Sequence, residues 1–285
     1  MPYFGGKQMV ASRLVSLFPP HAGYIEPYMG GLSVLLAKPV EAMEVVNDIN
    51  GDLVTFWRVL RDCPEELIVK CVLTPHSLEE YRGSYDRDAV GDVEVARRVW
   101  VLLSQGRSSS WVRSGWRFYL NPNNTQSMGE KVRSYKRRLP DVAARLMNVS
   151  IECRSALDVI QAYGREVSNL LYVDPPYLGS TRKAVGYADE MRGEQDHLDL
   201  LTVLRGVRAK VVVSGYDSEL YDHGLPGWTK RHMRSRTQGS SRCETVWMNY
   251  TPDNVLDLTQ REPFETPFET GACEGVPAEP ELVTA

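Results

Sequence analysis

The stretch Asn169-Leu170-Leu171-Tyr172-Val173-Asp174-Pro175-Pro176-Tyr177 decides how this chain is read. Leu170 to Val173 form a short apolar run, which predicts a buried parallel strand. Pro175 and Pro176 then stop the strand, because neither can donate a ladder hydrogen bond. A carboxylate, a rigid turn and an aromatic ring are thereby delivered to the carboxyl end of a sheet strand. In open α/β sheets, ligands bind along that edge.

Such a turn suits one kind of chemistry. The amino group of a nucleobase is a poor nucleophile, because its lone pair is delocalised into the ring. The Asp174 carboxylate and the Pro175 carbonyl can each accept a hydrogen bond from that NH₂ and hold its lone pair toward an electrophile. Proline fixes φ, so the carbonyl is in place before the base arrives. Tyr177 offers a face on which an extruded base can stack. In isolation, Asp-Pro-Pro-Tyr fits equally well a tight turn in which Asp174 caps the next helix.

The N-terminal region supplies further pieces. Tyr3-Phe4-Gly5-Gly6-Lys7 comes first, followed by Gly23-Tyr24-Ile25-Glu26-Pro27-Tyr28-Met29-Gly30-Gly31-Leu32-Ser33-Val34-Leu35-Leu36. The second segment predicts strand, glycine turn and helix, with glycines that let the backbone approach a ligand. A second strand, Glu44-Val45-Val46, runs into Asn47-Asp48-Ile49-Asn50. Asp48 lies 22 positions after Glu26, where a nucleoside-binding βαβ unit holds ribose hydroxyls. Gly5-Gly6-Lys7 lacks the P-loop spacing, which excludes that type of nucleotide site.

Taken in order, these residues resemble the Dam-like (D12-class) family of DNA adenine-N6 methyltransferases. Val211-Val212-Val213-Ser214-Gly215-Tyr216-Asp217-Ser218 and Glu244-Thr245-Val246-Trp247-Met248-Asn249-Tyr250 look like its later strands, so the likeness runs from about Tyr3 to Tyr250. The resemblance implies a Rossmann-like α/β domain that takes its methyl group from S-adenosylmethionine. It implies that Tyr3, Lys7, Glu26, Gly30 and Asp48 serve the cofactor, with Asp174 beside it. Asp174, Pro175 and Tyr177 would then grip the adenine. Two alternatives stay open. One is a methyltransferase acting on RNA adenine or on the exocyclic amine of cytosine. The other is a DNA-binding regulator with the same fold and no turnover.

Composition fits a soluble intracellular enzyme, and the resemblance implies the cytosol of a bacterium or a phage-infected host. Of 285 residues, 42% are hydrophobic and 25% charged, as in ordinary globular domains. No apolar run approaches the roughly 18 residues of a membrane span, and no secretory leader is visible. The five cysteines, Cys63, Cys71, Cys153, Cys243 and Cys273, form no Cys-x-x-Cys pair. Reduced thiols and no metal are expected.

The net charge of −4 is unevenly placed. From Thr251 to Ala285 eight acids face only Arg261, and five prolines interrupt the segment, so an acidic, disordered tail is expected at 251–285. From Arg97 to Arg145 eleven bases face only Glu130 and Asp141. A second basic cluster, Lys230, Arg231, Arg234, Arg236 and Arg242, is expected on a loop. Segregated basic patches suit phosphate contacts on nucleic acid. Helical spacing appears over Leu53–Arg61, Ser77–Tyr81, Val93–Leu103, Met128–Leu139 and Asp141–Met147. Between them, Ser114-Gly115 predicts a hairpin turn, flanked by Trp111, Arg113, Trp116 and Arg117.

The expected organisation is therefore a catalytic domain from 1–50 and 149–250, interrupted by a mostly helical DNA-recognition insert over 51–148. In that insert Arg113 and Arg117 would read bases, and Lys136, Arg137 and Arg138 would hold phosphates. The polar stretch Gly179–Asp196 is expected to form a loop over the site. Double-stranded DNA is the expected partner, with a cognate restriction nuclease as a further one. The enzyme would act as a monomer or weak dimer.

Overall fold

The computed structural model describes residues 6–86, 91–107, 115–119, 127–177, 191, 193–237 and 240–252, with the backbone alone for 234–237 and 240–243. Tyr3, Trp111, Arg113, the stretch 178–190 and the acidic tail from 253 lie outside these residues.

In chain order the elements are α1 (Ala11–Val15), β1 (Gly23–Glu26), β2 (Met43–Asn47), α2 (Gly51–Asp62) and α3 (Pro64–Leu73). Next come α4 (Leu78–Gly83), α5 (Asp92–Gln105), α6 (Met128–Arg137), α7 (Leu139–Leu146) and β3 (Val149–Glu152). Then follow α8 (Ala156–Tyr163), β4 (Asn169–Val173), α9 (Glu194–Arg205), β5 (Lys210–Gly215), α10 (Glu219–Gly224), β6 (Thr229–Thr237) and β7 (Ser240–Met248).

The strands form one sheet in the order β3-β2-β1-β4-β5-β7-β6. β1 to β5 run parallel, whereas β7 is antiparallel to β5 and to β6. This is an α/β, Rossmann-like fold. Its strand order reverses between β1 and β4, and such a switch point opens a crevice at the carboxyl edge. Asp48 follows β2 and Asp174 follows β4, so both acids expected at the site stand on that edge.

Period-2 alternation explains how the sheet is covered. Tyr24, Leu170, Tyr172, Val212 and Val246 face one buried cluster. Ile25, Leu171, Val173, Val213 and Trp247 face the other, against α8, α9 and α10. All five residues of β4 are buried, which is why its sequence is apolar without alternation.

The helices α2 to α7 stand between β2 and β3 in the chain. Trp57, Phe56 and Trp100 are fully buried among them. Their cluster continues without a break into the sheet face. Trp57 Nε1 donates to the Gly30 carbonyl at 3.0 Å, which ties α2 to the turn after β1. Glu44 of β2 is gripped by Arg145 of α7 and by Lys38, all three buried or nearly so.

Several sequence expectations are corrected. The helix expected after the glycine turn is a single 3₁₀ turn, Leu35–Ala37. Gly30 and Leu32 have φ of 43° and 53°, and Pro39 follows closely, leaving no room for a longer helix. The Lys230–Arg242 cluster lies on the paired strands β6 and β7 rather than on a loop. β6 is a sheet edge, and edges carry charge, so its pattern does not look like a core strand. α3 was not expected, although Pro64 and the acids Glu65 and Glu66 mark a helix start. α9 begins at Glu194, inside the expected loop. The basic helix ends at Arg137, and Pro140 sits in the first turn of α7.

Candidate active site

Asp174 follows the last residue of β4, and its side chain keeps 19% exposure. Asp174 Oδ1 accepts from Lys7 Nζ at 2.8 Å and from Ser214 Oγ at 3.0 Å. Tyr172 and Ser214 share a hydroxyl hydrogen bond at 2.9 Å, linking β4 to β5 below the site. Oδ1 is thus held by two donors, from the N-terminal segment and from β5. Burial pushes the Asp174 carboxyl above its ordinary value, opposed by Lys7 and reinforced by Glu244.

Lys7, expected at the cofactor, places its ammonium against the Asp174–Tyr177 turn. It reaches Asp174, the Tyr177 hydroxyl and Glu244, the last at 3.0 Å. The Tyr177 hydroxyl in turn donates to Glu244 Oε1 at 2.7 Å. The Tyr177 ring is 9% exposed and lies 4.5 Å from the Tyr216 ring, centroid to centroid. The two rings are tilted by 49° to one another. Ser214, Tyr216 and Glu244 occur in stretches read only as strands and loops. Their one sequence signal is that each falls at the carboxyl edge of the sheet.

The second half of the site surrounds β1 and β2. Glu26 is buried, and its Oε1 accepts from the Tyr24 hydroxyl at 2.6 Å and from the Leu35 amide at 2.8 Å. Glu26 thus braces the turn from within. Burial raises its carboxyl to about 8. A carboxyl raised on folding binds more protons folded than unfolded, so its contribution to stability is lost as pH rises from about 4.5 toward about 8. Glu26→Gln keeps the acceptor oxygen and removes the titration. Thermal melts of the variant are expected to lose that decline and to exceed wild type above pH 8. An unchanged pH profile would contradict the assignment.

Asp48 is half-buried, and its two oxygens accept from the Gly30 amide at 3.2 Å and the Asn50 amide at 3.0 Å. Asn47 accepts from the Arg154 amide and donates to the Pro27 carbonyl, stitching together the loops after β1, β2 and β3. Beside Asp48 the Ile49 side chain is 58% exposed.

Residues 3–237 match the D12 class N6 adenine-specific DNA methyltransferases. The chain belongs to this family. A curated relative, the Type II methyltransferase M1.LlaDCHI of Lactococcus lactis subsp. cremoris, is 26% identical over 228 residues, which is 73% of this chain and 76% of the relative. Among solved structures, the SAM dependent methyltransferase from Agrobacterium tumefaciens shares 11% identity, with a TM-score of 0.36. That match covers 84% of this chain and 58% of the other. The rRNA methyltransferase aviRa from Streptomyces viridochromogenes shares 12% identity with a TM-score of 0.34, over 84% and 81% of the two chains.

The methyltransferase is S-adenosylmethionine-dependent, and its own residues fit that donor. Asp48 is an anchored carboxylate at the sheet edge, suited to ribose hydroxyls, and Ile49 offers an apolar surface beside it for a flat ring. No helix among the described residues is long and apolar enough to cross a membrane.

The basic residues of the methyltransferase divide into two groups. Arg97 pairs with Glu94 and Glu80, Arg98 with Glu94, and Arg145 with Glu44. Lys136 Nζ donates to the carbonyls of Val72 and Thr74 at 2.9 and 2.8 Å, so it caps the end of α3. Burial lowers its pKa there. Of the three bases expected to hold phosphates, Lys136 thus engages backbone carbonyls, while Arg137 and Arg138 are exposed.

Ser114 of the expected Ser114-Gly115 turn lies outside the described residues, and Gly115 to Phe118 are held by the end of α5 and the segment after it. Trp116 bridges antiparallel to Gly106, and the Arg117 amide donates to the Gln105 carbonyl at 2.7 Å. Trp116 stacks between His76 and Phe118, with centroids at 4.5 and 5.7 Å. The Arg117 guanidinium donates to the Arg107 carbonyl at 2.8 Å. Gln105 organises this corner, donating to the Pro75 carbonyl and accepting from the Ser77 amide.

Proposed function

We propose that the protein methylates N6 of an adenine flipped out of duplex DNA at a specific sequence. The observation that carries this reading is Asp174 at the carboxyl end of β4, with Oδ1 held by both Lys7 and Ser214. S-adenosylmethionine supplies an electrophilic methyl carbon. Asp48 and Gly30 orient its nucleoside, while Glu26 keeps their turn rigid. Asp174 Oδ2 and the Pro175 carbonyl accept the two hydrogens of the target amine, which turns its lone pair toward the donor. Tyr177 and Tyr216 border the slot for the base, whose extrusion costs a few kcal/mol of lost stacking and pairing.

On the DNA side, Arg117 and Arg113 are assigned to base reading and Arg137 and Arg138 to phosphates, within an insert spanning 51–148. The Type II name of the Lactococcus relative is the ground for expecting a cognate restriction nuclease. A monomer or weak dimer in the cytosol completes the reading.

Methylation of a randomised duplex pool tests the assignment. Arg117→Ala should relax preference at one position, costing about 1–3 kcal/mol of discrimination. Arg137→Ala with Arg138→Ala should weaken binding to all duplexes and lower the salt slope by roughly two units. Unchanged preference in the first variant, or an unchanged slope in the second, would move recognition elsewhere.

A further inference from the structure

Glu244 lies just beyond the stretch of β7 that pairs with β5, which ends at Gly215 opposite Thr245. It therefore reaches the same carboxyl edge as Asp174 from β7, two strands across from β4. Its Oε1 accepts from the Tyr177 hydroxyl at 2.7 Å and stands 3.0 Å from Lys7 Nζ. Lys7 is thus held between two carboxylates, Asp174 and Glu244, with only 5% of its own side chain exposed.

That arrangement has an electrostatic consequence. An Asp174–Lys7 pair alone is neutral and presents little net field to its surroundings. Methyl transfer to an amine moves positive charge onto nitrogen. The N6 lone pair forms the new N–C bond, the C–S electron pair stays on sulfur, and N6 sheds one proton through Asp174 to water. A fixed negative charge beside N6 favours that displacement, and it acts most strongly where water is excluded.

We propose that Glu244 is a positioning residue for methyl transfer. It holds Lys7 and Tyr177 in place and leaves the three-membered cluster with one net negative charge beside the target amine. This rests on the adenine-methylating reading above. Glu244 also raises the Asp174 carboxyl, so its charge is reported by the pH at which Asp174 takes up a proton and ceases to accept the amine.

Single-turnover methyl transfer into duplex DNA, measured across pH, tests the proposal. Glu244→Gln should slow transfer by about 10- to 100-fold, with little change in affinity for cofactor or DNA. The acid limb of its pH profile should move to lower pH, because a negative neighbour of Asp174 is gone. Adding Lys7→Met returns the cluster to one negative charge, so the double variant should recover part of the lost rate. Glu244→Asp keeps the charge and should leave the acid limb where wild type has it, which keeps the test open if the glutamine variant folds poorly.

A wild-type rate and limb in Glu244→Gln would overturn the proposal. So would a double variant slower than Glu244→Gln, or a Glu244→Asp limb displaced like that of the glutamine variant; either marks a purely structural hydrogen bond. Wild-type protein separates the two levels. No transfer to adenine by wild type refutes the underlying reading, whereas normal wild-type transfer with indifferent Glu244 variants refutes this proposal alone.

Discussion

Asp174→Ala removes nearly all methyl transfer, by about 10²–10³ in rate, while the fold and the affinity for S-adenosylmethionine persist. The reason is geometric. Asp174 stands at the end of β4 with its Oδ1 fixed by Lys7 and Ser214, which sets the carboxylate for the substrate amine. Its removal does not strand Lys7, which keeps Glu244 as a counter-ion. Stability is therefore expected to change much less than rate. Single-turnover transfer alongside a thermal melt checks both. A variant with near-normal transfer would remove Asp174 from the chemistry.

The largest stability effect is expected at Glu44. Its side chain and that of Lys38 are each 1% exposed, and Arg145 closes on it with two nitrogens at 2.6 and 2.7 Å. Arg145 also donates to the Leu35 carbonyl, so the cluster joins β2, α7 and the segment after the glycine turn. Glu44→Ala leaves two cations with no carboxylate between them, a change that costs about 3–5 kcal/mol in buried pairs. A fall in Tm of about 10 °C is the corresponding readout. Burial alone would raise the Glu44 carboxyl, but hydrogen bonds from Arg145 and Lys38 hold it below its ordinary value. Its contribution is thus present at neutral pH and lost as pH falls through the carboxylate range. A Tm within a degree or two of wild type would show that the cluster contributes little.

The sheet was readable where burial is two-sided. β4 and β5 contain continuous apolar runs, Leu170–Val173 and Val211–Val213, and such runs have few other uses at that length. β6 was missed because an edge strand rich in Lys and Arg has no such run. The carboxyl-edge positions of Asp48 and Asp174 followed from the strands that carry them. Their partners did not, because Lys7 and Glu244 come from opposite ends of the chain and meet Asp174 only through the sheet order. Charge counting overstated the basic insert for a related reason. Arg145 finds Glu44 about a hundred positions away, and Lys136 finds backbone carbonyls, neither of which a count within a window can see. The partners of Trp116 were not legible either, because Gln105 and His76 reach it from elsewhere in the helical region.

The most direct measurement of the central claim uses S-adenosylmethionine labelled in its methyl group. The protein is incubated with duplex DNA, single-stranded DNA and RNA, and the products are digested to nucleosides and identified. The account predicts label in N6-methyladenine from duplex DNA, confined to one short sequence and absent with Asp174→Ala. Label in cytosine, label confined to RNA, or no transfer to duplex DNA would contradict it.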